Sequence, residues 1–134
     1  MKKFDNFKSN LAVLSRAHEE DVENEFIISG IIDKFFIQFE LAWKVLKELL
    51  RYEGERTANT GSPREIIKAA YTMYEFIDEE IWLSMLKERN NMPHIYDGEE
   101  AKRLVKKILE QYIPMFRAMQ EAIENRYREI LDSL

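Results

Sequence analysis

The run from Val22 to Glu53 constrains this chain most, because it holds no proline and repeats its apolar residues at helical spacing. At 1.5 Å per residue it predicts one helix about 45 Å long. Its apolar positions are Ile27, Ile28, Ile31, Ile32, Phe35, Phe36, Phe39, Ala42, Trp43, Leu46, Leu49 and Leu50. They cover more than one face, so the helix needs cover on two sides. We expect its own bundle to supply one side and a second copy of the chain the other, which makes a homodimer. Asp33, Lys34, Glu40, Lys44, Lys47 and Glu48 interrupt the run too often for it to span a bilayer.

Other helices fall on either side of it. Phe4, Phe7, Leu11 and Leu14 make a single stripe over residues 4–18, and Glu19-Glu20-Asp21 with Asn24 makes a loop or a loose helix start after it. Gly54 and the polar run Glu55 to Gly61 end the long helix. Ser62-Pro63-Arg64-Glu65 opens the next with a capping box and a proline at the first helical position, and that helix runs to about Phe76. Asp78 caps a further helix with Trp82, Met85, Leu86 and Arg89 along one face. Asp97-Gly98-Glu99-Glu100 reads as a turn and a second capping box, followed by a helical region from Glu99 to near Leu134, bent around Pro114. No stretch alternates strictly, and 4 Gly and 3 Pro in 134 residues are too few for an all-β domain. The expectation is all-α: a single domain over residues 1–134, an antiparallel up-and-down bundle with a four-helix core and five or so helices.

Composition narrows the chemistry. Without cysteine there are no disulfides, thiolate nucleophiles or cysteine zinc sites, and 2 histidines cannot make a histidine-rich metal centre. We expect no metal and no cofactor. A net charge of −5 argues against a basic nucleic-acid coat but is compatible with a local site for one phosphate. The opening Met1-Lys2-Lys3-Phe4-Asp5-Asn6 lacks a signal-peptide apolar core, so the expectation is a soluble, cytoplasmic protein with no membrane partner. No glycine-rich phosphate loop is present, so the chain is not itself expected to be a nucleotidyltransferase.

Polar functional groups concentrate in Glu88-Arg89-Asn90-Asn91-Met92-Pro93-His94-Ile95-Tyr96-Asp97. In a regular helix Arg89 and His94 stand ~140° apart, Asn90 and His94 are neighbours, and Arg89 and Tyr96 come within ~20° of alignment. Pro93 disturbs this, because its ring clashes with the carbonyl of residue 89, so the helix has to kink or end. This set suits cleavage of RNA phosphodiesters without a metal. His94, with a reference pKa of about 6.5, would take a proton from a 2′-hydroxyl, and Arg89 would hold the charge developing on the phosphoryl oxygens. Asn90 would orient either group, and Tyr96 would bond a phosphate or be modified on its hydroxyl. The plain structural alternative is a helix-terminal Arg and His bonded to carbonyls and to Glu88 or Asp97.

The spacing Arg89-x-x-x-x-His94-x-Tyr96, with Asn90 straight after the arginine, resembles the signature of the HEPN superfamily, in particular its branch of small nucleotidyltransferase substrate-binding proteins. Phe39-Glu40-Leu41-Ala42-Trp43-Lys44, Ser62-Pro63-Arg64-Glu65 and Trp82-Leu83-x-Met85-Leu86 fit that branch in the expected order. Met92-Pro93 stands where the branch usually carries small polar residues. The resemblance implies an all-α homodimer whose two Arg/His motifs face each other, with RNA or nucleotide in the cleft and a minimal nucleotidyltransferase encoded nearby as partner. In toxin-like members the cleft is a metal-independent endoribonuclease, with Arg89, His94 and Asn90 at the matching positions. The tyrosine matching Tyr96 is there adenylylated by the partner, which silences it. The alternative function is a non-catalytic subunit that binds nucleotide or substrate for the partner.

Glu40, Trp43, Lys44 and Lys47 form either a solvated edge of the long helix or part of the cleft lining. Lys102, Arg103, Lys106 and Lys107 form a basic patch, either a solvated face or a hold on nucleic acid or an acidic partner. His18 reads as a residue at a helix C-terminus. Glu79-Glu80 and Glu99-Glu100 open helices, where negative charge is stabilising, and are not metal sites.

Overall fold

The computed structural model describes residues 1–94 and 98–134, and every regular element in them is helical. The order is α1 (Lys2–Ser15), α2 (Glu25–Tyr52), α3 (Thr57–Thr60), α4 (Pro63–Met73), α5 (Glu79–Asn90), α6 (Gly98–Lys107) and α7 (Ile113–Arg126). Short 3₁₀ turns follow α1 (Arg16–Glu19) and α5 (Met92–His94), and a π-helical turn, Ile108–Tyr112, joins α6 to α7. None of these helices is long and apolar enough to cross a membrane.

Local chemistry sets the boundaries. The Asn24 side chain accepts from the amides of Phe26 (2.9 Å) and Ile27 (3.2 Å) and starts α2. Gly54, at φ +83°, ends it: Glu55 N–H bonds the carbonyl of Leu50 and Gly54 N–H that of Arg51, the paired closure that needs a left-handed residue. Ser62 and Glu65 make the expected reciprocal box, and Asp78 caps α5 through the amide of Ile81.

Four boundaries differ from expectation. The first helix stops at Ser15 and tightens into the 3₁₀ turn that carries His18. The run after Gly54 is not all loop, since Thr57–Thr60 makes one helical turn. Helix α4 stops at Met73 because Tyr74 turns extended and buries its ring, with its hydroxyl 2.7 Å from that of Tyr127. The final region is not one bent helix reaching Leu134. Its irregularity lies in the π turn just before Pro114, where a wider register accommodates a ring that would clash with the carbonyl of residue 110, and α7 ends at Arg126.

Helix α2 is the axis of the bundle. It packs against α1, α3, α4, α5 and α6, while α7 lies on α1 and α5 on α4. Twelve of its residues are buried: Ile28, Ile31, Ile32, Phe35, Phe36, Gln38, Phe39, Ala42, Val45, Leu46, Leu49 and Leu50. The two-sided apolar character from which we expected a second copy is thus taken up largely within one chain, leaving Phe26 (86% exposed) and Ile37 (48%) open. Gln38, fully buried, is satisfied by α1: its amide donates to the carbonyl of Phe7 (3.0 Å) and its oxygen accepts from Asn10 (2.7 Å). An aromatic cluster ties the layers together. Phe116 of α7 meets Phe7 edge-on at 6.2 Å, Trp82 edge-on at 5.8 Å and Phe35 at 6.3 Å, and Phe35 stacks on Tyr112 at 5.0 Å.

Two glycines predict opposite responses to alanine. A methyl on Gly30, mid-helix, meets nothing within 4 Å, so Gly30→Ala is expected to stabilise by about 0.5–1 kcal/mol. A methyl on Gly61 lies 2.5 Å from the Thr57 carbonyl oxygen and 3.1 Å from Ile66, so Gly61→Ala is expected to destabilise by about 1–3 kcal/mol. Urea unfolding of both variants checks the pair.

Burial, foremost, pushes the hydroxyls of Tyr74, Tyr112 and Tyr127 above the ordinary phenol range. The fold therefore favours their protonated forms. That contribution is complete below the unfolded pKa of about 10 and is lost as pH rises from there towards the folded values. Alkaline titration should show a share of the phenolate absorbance appearing only together with loss of helical circular dichroism. Complete ionisation with the helix signal intact would contradict this.

Candidate functional site

Helix α5 carries two functional stripes. Trp82, Met85 and Arg89 point inward, and Leu83, Leu86, Lys87 and Asn90 recur at i, i+3, i+4 and i+7 along its side. The C-terminal part of α5 brings Arg89 to the middle of α2. There Glu40, Trp43, Lys44 and Lys47 form a stripe beside the core positions Phe39, Ala42 and Leu46.

Arg89 meets Glu40 at this point. Its Nε donates to Glu40 Oε1 at 2.7 Å, and Trp43 Nε1 donates to the other carboxylate oxygen at 2.9 Å. Both oxygens of Glu40 are therefore engaged, and the guanidinium is held by its inner nitrogen. Arg89 Nη1 reaches Asn90 Oδ1 at 3.3 Å, and among the described residues Nη2 has no hydrogen-bond partner. The Lys44 ammonium lies 5.9 Å from the Trp43 ring centre. With side chains 35% and 32% exposed, the Arg89–Glu40 pair is partly screened, so its main effect is to fix the direction of a planar fork.

Of the residues singled out in the sequence, the structure thus gathers Arg89, Asn90, Glu40, Trp43 and Lys44. Of the partners in the plain structural alternative, Glu88 does not pair with Arg89, and Asp97 lies outside the described residues. Helix α5 ends at Asn90, ahead of Pro93, so a regular helix does not carry the backbone from Asn90 to His94. The backbone of His94 closes the turn Met92–His94. Its imidazole lies outside the described residues, together with Ile95, Tyr96 and Asp97.

Glu88 has a different role. Its buried carboxylate turns to α6, with Oε1 3.3 Å from Arg103 and 3.8 Å from Lys107, while Oε2 has no partner among the described residues. Lys102 pairs with Glu23 (2.9 Å), and Arg103 pairs also with Glu100 (2.9 Å). Most of the basic run that drew attention in the sequence is therefore neutralised by the protein's own carboxylates. Sequence reasoning missed the hydroxyl pair Ser84–Tyr112, 2.6 Å apart, beside this cluster. Burial raises the Tyr112 hydroxyl and the Ser84 bond lowers it, with a net upward shift. No cluster of three or more His, Cys, Asp or Glu side chains able to hold a metal occurs among the described residues.

An arginine fixed by a carboxylate, with an amide beside it and an outer nitrogen left over, is suited to meeting an anionic oxygen. No curated protein sequence matches this chain. The model of one protein family, nucleotidyltransferase substrate binding protein like, matches residues 2–125, almost the full length. The chain that places Arg89 and Asn90 against Glu40 and Trp43 therefore belongs to the nucleotidyltransferase substrate binding protein-like family, within the HEPN-like branch.

Proposed function

We propose that this protein is the partner of a separate minimal nucleotidyltransferase and that its Arg89 centre cleaves RNA without a metal, as the toxin component of the pair. What carries the reading is the clamp of Glu40 on Arg89 Nε at 2.7 Å, which leaves the outer guanidinium nitrogens for a phosphate. The family match supports the partnership. It fits equally a subunit that only binds nucleotide or substrate.

In the proposed reaction, Arg89 holds the non-bridging oxygens of the scissile phosphate through Nη1 and Nη2. His94 takes the proton of the adjacent 2′-hydroxyl. The 2′-oxygen–phosphorus bond forms as the bond to the 5′-oxygen breaks, and water protonates the departing 5′-oxygen. The products are a 2′,3′-cyclic phosphate and a free 5′-hydroxyl. Asn90 steadies the guanidinium through Nη1, and Glu40 positions it. Two copies bring their motifs together, and nucleotidylation of Tyr96 by the partner places a bulky anion at the phosphate site and silences the enzyme.

The test is cleavage of a broad panel of RNAs in EDTA by the purified chain, free of its partner and unmodified at Tyr96. The expected result is cutting by the wild type and a fall of at least about 10²-fold in Arg89→Ala and His94→Ala. Intact RNA across the panel would overturn the ribonuclease reading and leave the binding-subunit reading in its place.

A further inference from the structure

The side stripe of α5 forms one wall of a groove of which the reaction above uses only Asn90. Leu83, Ser84, Leu86, Lys87 and Asn90 line it from α5, and Arg64, in the first turn of α4, lines it opposite, around about 430 Å³. Among the described residues no carboxylate lines this groove, although the chain as a whole carries a net charge of −5.

Its two cations also differ from most of those in the basic run of α6. Lys102, Arg103 and Lys107 each lie against a glutamate, whereas Arg64 and Lys87 have no ion-pair partner among the described residues. Positive charge without a paired carboxylate attracts anions, because no ion pair has to be broken when one arrives. The groove joins the Arg89 centre through Asn90, whose side chain lines the trough while its oxygen accepts from Arg89 Nη1. Leu83 and Leu86 add an apolar strip against which a sugar or base face can lie.

We propose that this groove is a track for the phosphate backbone of single-stranded RNA, with Arg64 and Lys87 each meeting a phosphate next to the one held at Arg89. The proposal rests on the RNA reading of that centre and names the residues that hold the strand beyond the scissile bond.

The test is the affinity of a fluorescently labelled single-stranded RNA of about 12 nucleotides, its riboses 2′-O-methylated so that it cannot be cleaved. Arg64→Gln/Lys87→Gln is expected to bind at least about tenfold more weakly at about 50 mM salt. Its plot of log affinity against log salt should be flatter by about 1.4, two phosphates at about 0.7 each. Lys102→Gln/Lys106→Gln, which removes the same formal charge elsewhere, should change affinity by less than about threefold. Equal losses in the two double variants would overturn the groove as a local site. Wild-type affinity and slope in Arg64→Gln/Lys87→Gln, alongside weakened binding in Arg89→Ala, would overturn the groove and keep the RNA centre. No binding by the wild type would overturn both. ATP binding that depends on Arg64 and Lys87, without the same dependence for RNA, would overturn the strand in favour of a free nucleotide.

Discussion

A helix of 28 residues with twelve of them buried cannot be covered from one side. The rest of the architecture answers that requirement. Helix α1 lies along α2 and is pinned to it by the buried Gln38 between Phe7 and Asn10, while α3, α4, α5 and α6 take other sides. Once the apolar faces are covered, the polar stripe Glu40, Trp43, Lys44 and Lys47 has one place left, at the seam where α5 crosses the middle of α2. A carboxylate half-withdrawn from water at a helix seam needs a partner, and Arg89 supplies it. The site is thus a consequence of how the long helix is packed.

Helix α5 sends adjacent residues in opposite directions. Arg89 reaches back to α2, and Glu88 reaches across to Arg103 and Lys107 on α6. Successive helical residues point about 100° apart, so one turn can hold both neighbours. An arginine next to a glutamate therefore does not simply pair with it, because each faces a different helix.

Much of this was legible in the sequence, for reasons that are local. The 3.6-residue period located α2 and α5, and Asn24, Ser62 with Glu65, and Asp78 stand where amides need acceptors. Arg89, Asn90, Glu40, Trp43 and Lys44 were each picked out. Their meeting stood only as one of two alternatives, a cleft lining or a solvated edge, because Arg89 and Glu40 are 49 residues apart and no spacing rule joins them. The same limit hid the pairing of Lys102 with Glu23, 79 residues away, one of the contacts that neutralise most of an apparent basic patch. The early stop of α4 at Met73 depends on the bond of Tyr74 to the hydroxyl of Tyr127, 53 residues further on. The π turn escaped because its wider register answers Pro114 in a packed context, and periodicity alone carries no trace of it.

The central claim is that Glu40 acts through Arg89. The most direct measurement is a double-mutant cycle on RNA cleavage with Glu40→Gln, Arg89→Ala and the combined variant. If Glu40 serves to aim the guanidinium, Glu40→Gln slows cleavage by up to about 10²-fold, although it removes a negative charge from an anion site. It also adds nothing further once Arg89 is gone, so the combined variant matches Arg89→Ala. Cleavage by Glu40→Gln at the wild-type rate, or losses that simply multiply in the combined variant, would contradict the account.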